Sequence, residues 1–292
     1  MICSERAPAK LNLHLHVTGR RGDGYHELDT SFALIDWFDE VCVSTREDGE
    51  IRRLAEPCGI PLDADLAVRA ARLLRQQCEH EGKACPGADL LVRKSIPLGA
   101  GLGGGSSNAA SILRLLNRLW GLHWPLDRLA QLGATLGADV PVFVHREHAR
   151  AQGIGERLWP MPLSGANFVL VFPRVNVATA AIFTDPELTR SSEALKIEGL
   201  ISWESLLLSR NDLQPVTLQR FPEVGTALEM LREAALRLGL PQHWPRMSGS
   251  GSTVFSMVRS VSEGLHLRGL LQSMCTQANA LNWVLKCASS TP

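Results

Sequence analysis

Charge of either sign in excess is missing from this chain. Its 292 residues carry 30 lysines and arginines against 30 aspartates and glutamates, so no global field draws it to nucleic acid or to an anionic membrane, and a charged substrate must be handled locally. Aromatic residues make up only 5%, with a single tyrosine, Tyr25. No stretch approaches the roughly 20 apolar residues of a membrane span. The first residues, Met1-Ile2-Cys3-Ser4-Glu5-Arg6, lack the apolar segment of a signal peptide. Repeats and low-complexity tracts are missing too. The seven cysteines, at positions 3, 42, 58, 78, 85, 275 and 287, form no CxxC pair and no zinc spacing. They indicate neither a disulfide framework nor a structural metal, and reduced thiols in a cytoplasmic protein fit best. With 45% hydrophobic residues over this length, a soluble chain with a substantial core and two domains is expected.

Glycine, by contrast, is concentrated at Pro97-Leu98-Gly99-Ala100-Gly101-Leu102-Gly103-Gly104-Gly105-Ser106-Ser107. This loop lies between a strand-like run, residues 90–94, and a helix-like run from Ser107 to Trp120, with Ser106 or Ser107 as N-cap. Without Cβ atoms the backbone can approach a ligand closely, first-turn N–H groups point at it, and the helix dipole adds positive charge. Phosphate is the natural guest. Gly99-x-x-x-x-Gly104 begins a P-loop pattern, but Gly105 stands where a P-loop needs lysine. Gly99-x-Gly101-x-x-Gly104 meets the dinucleotide pattern, yet no acidic residue follows about 20 positions on. Met247-Ser248-Gly249-Ser250-Gly251-Ser252-Thr253-Val254-Phe255 is a second small-residue loop, running into a strand. Two such loops can close on a phosphate chain from both sides.

Strict alternation from Lys10 to Val17 marks a half-buried strand, with Leu11, Leu13, Leu15 and Val17 inward and Lys10, Asn12, His14 and His16 sharing the other face. A solvated Lys10 on a polar sheet face is the simplest expectation, and His14 and His16 have no evident third metal ligand. Residues 19–24 form a turn, 31–35 and 40–45 two strands, and 63–80 a helix with Leu66, Ala70, Leu73 and Leu74 inward. A further helix starts near Pro125 and stops at Gly137. Asp139 lies against an apolar segment, and its carboxylate needs a partner: a capped helix or turn, or Lys10. A turn at residues 151–156 sets a domain boundary just after Glu156, giving domains 1–156 and 157–292. Residues 168–173 form a buried strand, and the polar tract 189–198 is expected to be a mobile surface loop.

Ala7-Pro8-Ala9-Lys10-Leu11-Asn12-Leu13, the glycine loop and residues 247–255, in that order, resemble the GHMP kinase superfamily, small-molecule kinases unrelated to P-loop enzymes. Asp23-Gly24-Tyr25-His26-Glu27-Leu28, Gly137-Ala138-Asp139-Val140-Pro141, Phe183-Thr184-Asp185-Pro186-Glu187-Leu188 and Asn211-Asp212-Leu213 are similar to its branch acting on a cytidyl diphosphate substrate. The likeness runs through nearly the whole chain. It implies an α+β, two-domain GHMP kinase fold: a ribosomal S5 domain 2-like N-terminal domain that binds ATP, and a ferredoxin-like C-terminal domain that completes the substrate cleft. The implied activity is ATP-dependent phosphorylation of the substrate's 2-hydroxyl, in the non-mevalonate route to isoprenoid precursors. Kinases for other small alcohols, such as mevalonate or homoserine, are rivals in the same fold that leave Tyr25-His26 without a base to stack on.

The resemblance also implies roles for residues. Asp139 orients the attacking hydroxyl and accepts its proton, while Lys10 keeps Asp139 ionised and sits close to the transferred phosphoryl group. Asn12 positions substrate. Tyr25 and Phe183 stack on the cytosine, His26 bonds to its edge, and Thr179 lies along the same pocket. Residues 97–107 wrap the ATP phosphates, with Lys94 nearby. Asp65 falls close to the adenine, where asparagine is the expected residue and an aspartate cannot donate as asparagine does. Mg²⁺ accompanies ATP, its ligands unassigned.

Overall fold

The alternation seen over residues 10–17 belongs to a much longer strand, β1 (Ile2–Arg20). The computed structural model describes residues 2–55, 59–161, 163, 165–195, 206, 209–278, 280 and 282–291. Cys58, and residues 196–198 of the tract read as mobile, lie outside them. Leu11, Leu13, Leu15 and Val17 are buried as expected, but so are Lys10, Asn12 and His14. The polar face of β1 is therefore an interior surface, and Lys10 is not the solvated lysine that sequence alone favours.

The two strands read at 31–35 and 40–45 are one, β2 (His26–Arg46). Asp36-Trp37-Phe38-Asp39 between them holds no glycine or proline to break the strand. The chain divides into two compact units, one of Met1–Ala9, Trp37–Pro97 and Gly103–Glu147, the other of Lys10–Asp36, Leu98–Leu102 and His148–Pro292. Glu156 falls inside the second unit.

In the first unit, β3 (Ile51–Arg53) runs parallel to β4 (Gly87–Arg93), which pairs antiparallel with residues 40–46 of β2. Helices α1 (Leu66–His80), α2 (Gly104–Leu119), α3 (Leu126–Ala134) and α4 (Val140–His145) pack together, α1 and α4 both against α2. α1 buries Ala67, Val68, Ala70, Ala71, Leu74 and Cys78, leaving Leu66 and Leu73 half-buried. Of the face that periodicity predicts for α2, Ala109, Ile112, Leu113 and Leu116 are buried, while Trp120 caps the end of the helix and stays half-buried. Its N-cap, however, is Gly103, left-handed at φ +70° and without a side-chain cap. Glycine adopts that conformation at little cost, so the helix starts early and carries Ser106 and Ser107 into its first turn.

In the second unit, residues 28–32 of β2 pair antiparallel with β5 (Ala149–Gly153), which pairs with β6 (Arg157–Pro160). Strands β7 (Asn167–Phe172), β8 (Arg246–Met247), β9 (Val254–Val258) and β10 (Val284–Ser289) form an antiparallel sheet in the order β10-β7-β9-β8. Phe168 and Phe255 meet edge to face on it, ring centres 5.9 Å apart. Among the described residues the unit also holds α5 (Thr179–Thr184), α6 (Gln214–Arg220), α7 (Pro222–Arg237) and α8 (Val261–Gln277), the last two packed on the strands of this sheet. Among the described residues no helix is long and apolar enough to cross a membrane.

Candidate active site

In the second unit, the buried face of β1 carries Lys10. Its ammonium donates to the Asn12 side-chain oxygen at 2.5 Å and to the Gly101 carbonyl at 3.1 Å. Its amide donates to the Leu102 carbonyl at 3.0 Å, so β1 holds residues 98–102 by side chain and backbone together. The second small-residue loop closes on the same place. The Asn12 amide donates to the Ser248 hydroxyl at 3.1 Å, that hydroxyl donates to the Gly101 carbonyl at 3.2 Å, and the Thr253 amide donates to Ala100 at 3.2 Å. Asn211 steadies the loop by donating to the carbonyls of Met247 and Gly249 at 3.0 and 2.8 Å. A Cβ on Gly101, whose φ is +74°, would collide with the Ser248 carbonyl. One on Gly249 would lie 3.1 Å from Asn12 Oδ1 and 3.5 Å from Lys10 Nζ. Thr179, the first residue of α5, shares a 2.8 Å hydrogen bond with the Ser250 hydroxyl.

The first unit holds Asp139, Lys94, Asp65 and the start of α2. Asp39, fully buried in β2, was missed by the sequence reading. Its carboxylate accepts from the amides of Ser95 and Ile96 at 2.7 and 2.8 Å, from the Asn108 side chain at 2.9 Å, and from the Lys94 ammonium. Lys94 donates as well to Asn108 Oδ1 at 3.0 Å. These charge-assisted bonds fix the entrance of the glycine loop to α2 and match the lysine's charge. The Ser107 hydroxyl is buried and has no hydrogen-bond partner among the described residues. Asp139 stands at the N-cap position of α4, half-buried, yet its side chain makes no capping bond. The capping role is thereby removed. A Cβ on Gly137 would lie 3.8 Å from the Ser106 hydroxyl, so the turn leading to Asp139 runs beside the first turn of α2. Asp65 does cap its helix, accepting from the Ala67 amide at 2.9 Å, and its other oxygen takes the Arg53 guanidinium at 3.0 Å.

A third cluster, in the second unit, joins two of the aromatic residues singled out from sequence. His26 is buried and its ring lies 5.2 Å from that of Phe183, the planes tilted by 31°. Tyr25 is 60% exposed and makes no ring contact among the described residues. Arg190 Nε donates to His26 Nε2 at 3.0 Å. Burial, then the charges of Arg190 and Arg20, push the His26 imidazole pKa down. Arg190 belongs to the tract read as a mobile loop, but the described part of that tract is tied down. The Ser192 amide donates to Val17 at 3.0 Å and the Leu195 amide to Asp29 at 2.6 Å. The polar composition reflects these bonds rather than freedom.

Asp29 accepts a bidentate pair from Arg150 at 2.8 and 2.9 Å. Burial alone would raise its pKa, but His14, Arg150 and the Leu195 amide hold the carboxyl well below the usual range. Burial pushes neighbouring His14 down. Among the described residues no group of three or more histidine, cysteine, aspartate or glutamate side chains is placed to hold a metal ion.

A family model described as GHMP kinases N terminal domain matches residues 65–147. The chain is 43% identical over 271 residues to the 4-diphosphocytidyl-2-C-methyl-D-erythritol kinase of Polynucleobacter necessarius subsp. necessarius (strain STIR1), covering 93% of this chain and 88% of that one. It is 48% identical over 270 residues to the enzyme of the same name from Pseudomonas entomophila (strain L48), covering 92% and 89%. The crystal structure of a 4-(cytidine 5'-diphospho)-2C-methyl-D-erythritol kinase superposes with a TM-score of 0.78 at 33% identity, covering 99% of this chain and 100% of that one.

Proposed function

The chain belongs to the 4-diphosphocytidyl-2-C-methyl-D-erythritol kinases of the GHMP kinase superfamily, and from that premise we propose that Lys10 and Asp139 are its catalytic pair. The enzyme uses ATP to phosphorylate the 2-hydroxyl of 4-diphosphocytidyl-2-C-methyl-D-erythritol, giving the 2-phosphate and ADP, a step of the non-mevalonate route to isoprenoid precursors. Phosphoryl transfer has a loose transition state and demands positioning and charge stabilisation more than covalent chemistry. Asp139 orients the hydroxyl and accepts its proton, a role open to a carboxylate that spends nothing on capping. Lys10 meets the negative charge of the transferred group, and Asn12 steers the substrate.

Residues 97–107 bind the triphosphate through backbone N–H groups at the start of α2. Asp65, with both oxygens engaged, shapes the adenine end by fixing the start of α1 rather than by donating a hydrogen bond. Tyr25 and Phe183 sandwich the cytosine, with His26 at its edge and Thr179 along the pocket. Ser107 fits a Mg²⁺ ion arriving with ATP, because its buried hydroxyl is an oxygen ligand without a partner. Such an ion supplies charge neutralisation on the phosphates. One observation carries the reading: the Lys10 ammonium is bonded to Asn12 and to Gly101, where the two small-residue loops meet. A coupled ADP-release assay tests it by comparing the cytidyl-methylerythritol substrate with mevalonate and homoserine. Turnover on the first alone is expected; preference for either of the others would overturn it.

A further inference from the structure

We propose that Arg190 fixes the ring proton of His26 on Nδ1 and thereby makes the pocket prefer cytosine to uracil. The inference rests on the reading of His26 as the residue at the edge of the base. Arg190 is itself immobilised, donating to the carbonyls of Leu188 at 3.0 Å, Phe183 at 3.1 Å and Asp185 at 2.6 Å. A fourth donor, Nε–H, points at His26 Nε2. A guanidinium has five donors, no acceptor, and keeps its charge. Nε2 must then offer its lone pair, and in a neutral imidazole the proton goes to Nδ1. Burial and the charges of Arg190 and Arg20 favour the neutral ring. Nδ1 has no hydrogen-bond partner among the described residues and is not sealed from solvent, so it is available as a donor of fixed direction.

Cytosine presents N3 and O2, two adjacent acceptors, whereas uracil carries a proton on N3. A donor held at Nδ1 pairs with cytosine N3 and opposes the N–H of uracil. The opposite tautomer would reverse that choice. Because Arg190 also holds the Phe183 carbonyl, it carries the stacking ring and the edge-reading ring as one piece, and the 5.2 Å contact between them keeps the His26 plane set.

Nitrogen-15 NMR of the unaltered enzyme tests the tautomer without any variant. A protonated Nδ1 and bare Nε2 are expected; a proton on Nε2 overturns the proposal. Arg190→Gln replaces an obligate donor by an amide that can donate or accept. It is expected to raise KM for the cytidyl substrate roughly tenfold, the worth of about one hydrogen bond, with kcat nearly unchanged. The preference in kcat/KM over the uridyl counterpart should fall by a similar factor, and Arg190→Lys, which keeps a donor, should restore part of it. A raised KM with unchanged preference would reduce Arg190 to a structural clamp and sink the idea. His26→Ala separates the two levels: unchanged KM there defeats the reading of the base pocket itself, while raised KM there with an unaltered preference in Arg190→Gln defeats only the role of Arg190.

Discussion

Asp65 and Asp139 each stand immediately before a helix and use that place in opposite ways. Asp65 gives one oxygen to the first turn of α1 and the other to Arg53, whereas Asp139 gives α4 nothing. From sequence a cap is expected only at Asp139, and Asp65 falls inside a helix over 63–80, because a helix-favouring run does not by itself mark its first residue. Only the side-chain geometry tells a carboxylate that caps its helix from one that does not. On the proposed role, Asp139→Asn should leave ATP affinity nearly intact while cutting turnover by about 10²–10⁴, the span of general-base catalysis; near-normal ADP release would refute the assignment. Tyr25, 60% exposed, supports little of the fold. Tyr25→Ala should leave the melting temperature unchanged and raise KM for the cytidyl substrate several-fold, about the 0.5–1.5 kcal/mol of an aromatic stack, and an unaltered KM would count against stacking.

At the scale of elements, what sequence made legible was local. The period-two face of β1, the inward face of α2 and the two small-residue loops all follow from neighbours a few residues apart. Asp39 did not, because its partners Lys94, Ser95, Ile96 and Asn108 lie 55 to 69 positions away. Nothing local singles it out either, since it stands between Asp36 and Glu40 in the same strand. Arg190 was hidden for the same reason, 164 positions from His26 and inside a tract whose polarity reads as solvent exposure. The cap of α2 was misplaced because serines are preferred there in general, while the local backbone needed the left-handed Gly103. Asp39 binds the end of β4 to α2, so Asp39→Ala should strand the buried Ile96 amide and the Asn108 amide and leave the half-buried Lys94 ammonium without its counter-charge. Loss of about 3–5 kcal/mol is expected, read from urea unfolding; a loss below about 1 kcal/mol would show that the cluster is not what ties these elements.

For the whole molecule, β1 and β2 each give residues to both compact units, so no cut at a single position separates them, and composition along the chain could not show this interleaving. Stability should fall with acid. Burial lowers the pKa of His14, His26 and His148, so below about pH 6.5 the unfolded chain takes up protons that the folded chain refuses. The stability is complete above that pH and declines beneath it, joined lower down by Asp29, whose depressed carboxyl favours the folded state until it too is protonated. Urea midpoints at pH 5 below those at pH 7.5 are expected; equal midpoints would contradict the buried neutral histidines. The bond between Lys94 and Asp39 bears on ionic strength as well. If the loop binds ATP as proposed, a lysine matched by Asp39 adds little long-range field. Buried or short-range partners, the loop's amide dipoles with Lys10, then hold the phosphates, and mobile ions screen these weakly compared with fields between exposed charges. At constant free Mg²⁺, the KM for ATP should stay within about twofold as salt rises severalfold, and this enzyme should hold its nucleotide across the swings in salt that loosen a site built from surface cations.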